Sequence, residues 1–204
     1  HIEILSRNSI KKIHIRDIKK ENKMIREKII KDLKVIKKTN KNFSNFNFNQ
    51  SPNIMGILNI TPDSFSDGGK FNKKKKSYKK LIDLFNDGAN IIDIGGESTR
   101  PGSKNIKTKI EWSRVKKIIK KFGKKFPLSL DSRKSIVIEK SIKLGVKLIN
   151  DISGFTYDEK TIDLLKKYKT PLVIHHIKGT PENMQKNPNY KNVLLDIYDY
   201  FEKK

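Results

Sequence analysis

Five polar side chains, Asn59, Asp93, Asp131, Asn150 and His175, each stand at the end of a short apolar run. Carboxylates accept hydrogen bonds, whereas side-chain amides and imidazole both accept and donate. Turn-forming residues follow the first two runs. Thr61, Pro62 and Asp63 and then Asp67, Gly68 and Gly69 enclose Ser64, Phe65 and Ser66, and residues 95–103 (GGESTRPGS) follow Asp93. Reactive groups are thereby placed at strand ends. Taken one at a time, these residues have plainer readings: Asn59 can end its strand, Asp131 can cap the next helix, and Arg100 can be a solvated surface cation. His175 and His176 are neighbours on a strand, so they point to opposite faces and cannot chelate one metal together.

The positioning elements follow from hydrophobic pattern. Residues 54–58 are too short and too continuously apolar for a helix, which fits a strand buried on both faces. Leu81, Ile82, Leu84 and Phe85 have helical spacing, and Gly88 sits where a helix-terminating glycine belongs. The unit then recurs. Residues 91–94 read as a strand, and Thr108 and Glu111 as a capping box opening a helix that stops at Gly123. Strands at 128–131, 146–151 and 171–175 follow, with helices to about Lys143, around Ile162 to Tyr168, and from about Asn192.

Five strand–helix pairs in strict alternation predict an α/β fold with a parallel sheet. A (β/α)8 TIM barrel is favoured, because barrel sites draw on the ends of several strands. An open doubly wound sheet gathers its ligand at one switch point instead. Beyond the first 50 residues 154 remain, against about 250 for a closed barrel. The expectation is a barrel truncated to about five β/α units, which alone neither turns over substrate nor forms a stable closed monomer.

Residues 1–50 read as a separate segment. Ile18, Ile25, Ile29, Leu33 and Ile36 give one amphipathic helix, followed by an asparagine-rich linker, with the tail of a preceding module as the alternative reading. Residues 51–204 form the barrel domain. The chain has 46 Lys and Arg against 22 Asp and Glu, a formal net charge of +24 and a pI near 10.0. Such a charge attracts polyanions, yet residues 1–50 hold 14 basic and 5 acidic side chains and the remainder 32 and 17. The excess is dispersed, so nucleic acid is not the favoured partner. With no cysteine there are no disulfides or thiolate metal sites. No stretch approaches the ~20 apolar residues of a membrane span, and a cytoplasmic location is expected.

Residues 53–69 (NIMGILNITPDSFSDGG) and 91–103 (IIDIGGESTRPGS) resemble, almost letter for letter, the two defining motifs of the dihydropteroate synthase family. Residues 129–132 (SLDS), 150–153 (NDIS) and 176–185 (HIKGTPENMQ) resemble its third-, fourth- and fifth-strand motifs. The family's later glycine-rich sixth-strand motif, the Ser-Arg-Lys loop beyond it (distinct from residues 132–134) and the final Arg-x-His strand are not among these 204 residues. His175 stands where the family usually places a methionine.

The resemblance implies a pterin-binding TIM barrel that condenses a 6-hydroxymethyl-dihydropterin diphosphate with p-aminobenzoate, releasing diphosphate. Asp93, Asp131 and Arg100 would be catalytic, and Asn59 would hold Mg2+ with the diphosphate. Thr99 and Arg100 would contact the anion, while Asp93, Asp131, Asn150 and His175 would line the pterin site. Thr61, Pro62, Phe65, Ser66 and Pro101 would shape the p-aminobenzoate pocket. A homodimer of the full-length protein is expected, with no membrane association. A pterin-binding methyltransferase domain and a basic nucleic-acid-binding module are the competing readings.

Overall fold

The structure is a computed structural model that describes residues 1–38, 47, 52–61 and 70–204. The elements begin with strands β1 (Ile2–Leu5) and β2 (Ile10–Ile13), a 3-10 helix (Ile15–Lys20) and helix α1 (Lys23–Ile36). Then come β3 (Met55–Asn59), α2 (Lys70–Asn86), β4 (Ile91–Gly95), α3 (Thr108–Phe122) and β5 (Leu128–Asp131). The last are α4 (Ser135–Lys143), β6 (Leu148–Asp151), α5 (Lys160–Tyr168), β7 (Leu172–Ile174) and α6 (Val193–Lys203). Two compact units result, residues 1–41 with 189–204, and residues 42–188.

In the larger unit β3 to β7 form one parallel sheet in the order β3-β4-β5-β6-β7. Strictly sequential order is what a barrel wall requires, since a doubly wound sheet reverses its order. Register then divides the side chains between faces, because alternate residues point to opposite sides. Leu58, Ile94, Leu130 and Ile149 lie in one row. With Ile92 and Leu128 they pack against Leu81 of α2, Val115, Ile118, Ile119 and Phe122 of α3, Val137 and Ile138 of α4 and Leu165 of α5. That face is the core.

The next row, Asn59, Gly95, Asp131 and Asn150, points the other way. So do Asp93 and Ser129, one row below and paired to Ile57, which is 65% exposed. The apolar runs therefore build the helix side and the polar residues interrupting them line the opposite side. Among the described residues no helix is long and apolar enough to cross a membrane.

The smaller unit departs from the sequence reading. In place of one helix and a linker, it opens with an antiparallel hairpin in which Ile2 pairs with Ile13 and Leu5 with Ile10. Each strand has only four residues, too few for alternation to stand out. Ile18 falls in the 3-10 helix, and α1 begins only after Asn22, whose side chain accepts from the Ile25 amide at 2.9 Å. The final helix, expected as the fifth crossover, groups with this unit. Asp199 on α6 pairs with Arg7, and Lys28 Nζ donates to the Tyr198 hydroxyl at 3.1 Å. Most of residues 39–51, including most of the expected linker, lies outside the described residues.

Gly145 ends the turn after α4 with φ +105°, and a Cβ there would stand 2.6 Å from the Gly123 carbonyl oxygen. Gly88 has a nearly identical φ of +103° but open space around it. Gly145→Ala is therefore expected to destabilise the fold by about 1–3 kcal/mol more than Gly88→Ala, the added cost being steric overpacking. Equal losses in urea melts would contradict the close packing of these two turns.

Candidate active site

The polar face is joined by a hydrogen-bonded chain across three strands. Asn150 Nδ2 donates to Asp93 Oδ2 at 2.8 Å, and Asn150 Oδ1 bonds His175 Nε2. A carbonyl oxygen only accepts, so His175 carries its proton on Nε2. Asp93 is 6% exposed, and its Oδ1 has no hydrogen-bond partner among the described residues. Burial pushes its carboxyl above the ordinary range, against the opposing pull of the nearby Ser129 hydroxyl, the Asn150 amide and His175. A buried acceptor left open in this way suits a ligand donor.

Gly95 separates Asn59 from Asp131 in the row above. A Cβ at Gly95 would lie 2.8 Å from Asn59 Oδ1 and 3.7 Å from Asp131 Oδ2, so the absent side chain leaves room between the two. Thr99 Oγ1 donates to Asp131 Oδ2 at 3.5 Å. Asp131 is pushed up to about 8, first by burial and then by the charges of Asp93, Glu111 and Asp151, with Thr99 opposing. It does not cap α4. Asp158 does that, its Oδ2 accepting from the Ser135 amide at 2.9 Å.

A second group, buried beside this site, was not singled out in the sequence. Glu97 and Glu111 pair with Arg133 and Lys134. The expected capping box is not formed: Lys107 is the N-cap of α3, with no side-chain cap bond. Glu111 instead accepts from Ser132 Oγ and Lys134 Nζ, because its side chain is wholly buried against the end of β5. In sequence, a Ser-Arg-Lys run reads as solvated surface. Its position directly after a strand carrying a candidate site residue was the available signal.

The structure thus brings Asn59, Asp93, Asp131, Asn150, His175 and Thr99 to one side of the sheet. Thr61 follows β3 closely and is partly buried, whereas Arg100 and Pro101 are exposed on the loop after β4. Pro62, Phe65 and Ser66 lie outside the described residues. No group of three or more His, Cys, Asp or Glu among the described residues is placed to hold a metal ion. The Asn59 Oδ1 beside Gly95 is an oxygen donor of the type that hard cations take.

A carboxyl with a raised value keeps a proton in the folded chain that the unfolded chain has already released. Between about pH 4 and about pH 8, rising pH therefore costs stability through Asp131. Asp131→Asn has no proton to lose, so its melting temperature should fall less than that of the unmodified chain from pH 5 to pH 8. Parallel slopes in thermal melts would contradict the buried, raised carboxyl.

Residues 55–204 match the family model described as "Pterin binding enzyme". A dihydropteroate synthase of Clostridium beijerinckii is 44% identical over 154 residues, covering 74% of this chain and 55% of the relative. The dihydropteroate synthase of Escherichia coli K12 is 38% identical, covering 74% and 54%. The solved structure of the Clostridium difficile enzyme in the presence of pteroic acid superposes with a TM-score of 0.67 at 40% identity, covering 74% and 56%. That of Xanthomonas albilineans with 4-aminobenzoic acid has the same TM-score at 32% identity, covering 74% and 54%. The chain spans about half the length of the curated relatives it matches. With the sequential parallel sheet and its polar row, these matches show that the chain belongs to the pterin-binding enzyme family.

Proposed function

We propose that this chain supplies the pterin site of a dihydropteroate synthase, which joins a 6-hydroxymethyl-dihydropterin diphosphate to p-aminobenzoate and releases diphosphate. The observation that carries the reading is the group of Asp93, Asn150 and Asp131 on one sheet face, with the Asp93 Oδ1 acceptor left open. A pterin edge presents ring N–H and amino donors together with ring nitrogens. Carboxylates and an amide whose orientation is set by its neighbours match that pattern. Named relatives with pteroic acid or 4-aminobenzoic acid bound support the same substrate class. The methyltransferase reading is not favoured, since the named relatives are dihydropteroate synthases.

In the proposed reaction the amine of p-aminobenzoate attacks the methylene carbon, forming a C–N bond as the C–O bond to diphosphate breaks, and the amine's surplus proton leaves with the diphosphate or to water. Positive charge develops on the pterin as the leaving group departs. Asp93 and Asp131 stabilise that charge from fixed positions, where no reorganisation is needed. Donors on the ring favour the ionised form of Asp131, so binding draws its proton away and prepares the carboxylate for the next step.

Thr99 and Arg100 meet the anion, and His175, held through Asn150, walls the pterin side. Thr61, Pro62, Phe65, Ser66 and Pro101 shape the arylamine pocket. Mg2+ held at Asn59 would neutralise charge on the departing diphosphate. A cytoplasmic location and a homodimeric full-length protein belong to the same proposal.

In the protein carrying this chain, Asp131→Ala is expected to lower turnover by about 10²- to 10³-fold. The hydrogen bonds of Asn150 to Asp93 and His175 should survive, so the fold is retained. Assays of dihydropteroate formation check this, and near-normal turnover would remove Asp131 from the chemistry.

A further inference from the structure

We propose that Lys134, with Glu97, is a positioning residue for the loop that carries Thr99, Arg100 and Pro101. The proposal rests on the functional reading above for what that loop contacts. Lys134 is 4% exposed, and its ammonium has three N–H groups to satisfy. It donates to Glu111 Oε2 at 2.8 Å, to Glu97 Oε1 at 3.1 Å and to the Ile106 carbonyl oxygen at 2.7 Å. Glu97 Oε1 also accepts from the Ile106 amide at 2.8 Å. One ammonium and one carboxylate therefore tie the beginning of the loop, Glu97, to its end, Ile106.

Between these anchors the chain closes a smaller turn. Ser103 Oγ donates to the Ser98 carbonyl at 2.7 Å, and the Ser103 amide to the Arg100 carbonyl at 3.0 Å. The Gly102 amide reaches the Pro181 carbonyl at 2.8 Å. Thr99, Arg100 and Pro101 sit inside that turn, and the Thr99 hydroxyl comes to Asp131. Arg133 extends the clamp. Its Nε lies 3.3 Å from Glu97 Oε2 and its guanidinium 4.2 Å from the centre of the Tyr157 ring, whose hydroxyl accepts from Asn105 at 2.6 Å. Arg133 thus links the loop after β4 to the loop after β6.

Stability alone does not account for the arrangement. Replacing buried ion pairs with apolar groups of similar volume is often neutral or stabilising. An ammonium with three acceptors adds direction: it fixes two distant points of a loop that carries little apolar side chain of its own. The four charges of Glu97, Glu111, Arg133 and Lys134 cancel, so the clamp can stay buried.

The test is Lys134→Met in the protein carrying this chain, read by amide hydrogen exchange and by steady-state kinetics. Exchange at Gly102, Ser103 and Ile106 should rise by roughly tenfold or more, while Leu130 and Ile149 in the sheet keep their protection. The kcat/KM should fall by about 10²-fold, mostly through KM for p-aminobenzoate, since small misplacements far from the chemistry cost that much. If Lys134→Met does not fold, Lys134→Met with Glu111→Gln takes its place, removing the buried charge left stranded while Glu97 keeps Arg133. Equal loss of protection in loop and sheet, no change in either, or a loosened loop with unchanged kcat/KM would each overturn the proposal. An unmodified protein without synthase turnover would sink the functional reading, and the exchange contrast alone would then decide the clamp.

Discussion

A slip of one residue in the register of β3 to β7 would turn Asp131 and Asn150 into the helix-packed core and Leu130 and Ile149 out of it. The parallel register is therefore the constraint on which the site depends. It is enforced from the apolar side. Ile92, Ile94, Leu128, Leu130 and Ile149 are wholly buried against α3, α4 and α5, and each apolar side chain of this size contributes about 1.5–3 kcal/mol when buried. A polar residue on that face would forfeit such a contribution and leave unpaired groups in the core. The functional row inherits its alignment from packing on the other side of the sheet.

The polar face works against stability. Asp93 is a buried carboxyl shifted toward its neutral form, and Asp131 is held up to about 8 by burial and by three other carboxylates. Such groups persist where the surrounding core over-determines the fold. Asp93 Oδ1 has no donor among the described residues, a demand that a polar ring would meet. The neighbouring clamp is arranged differently, for Glu97 and Glu111 are matched by Arg133 and Lys134. One cluster keeps an open acceptor at Asp93 Oδ1, and the charges of the other are paired within the chain.

Much of this was legible in the sequence, and the reasons are specific. Short apolar runs bounded by glycine or proline marked β3 to β7 to within two residues, although the burial on both faces expected of residues 54–58 holds for β4 and not for β3, where Ile57 is 65% exposed. The polar residues that break or end those runs, Asp93, Asp131 and Asn150, mark the face of the sheet opposite the helices. The hairpin of β1 and β2 was not legible, since two four-residue strands carry too little alternation to separate from helical spacing. Glu111 was misread for another reason. Thr108 and Glu111 have capping-box spacing, but Glu111 finds Lys134 and Ser132 across the fold, and partners distant in sequence leave no local pattern.

The central claim is that Asp131 waits protonated for a ligand that ionises it. Calorimetric titration of the protein carrying this chain with a pterin, at pH 7 in buffers of differing ionisation enthalpy, measures protons released on binding. Release approaching one proton, lost in Asp131→Asn, is the result the account predicts. Equal release from the unmodified protein and Asp131→Asn, or pterin binding with no proton released, would contradict it.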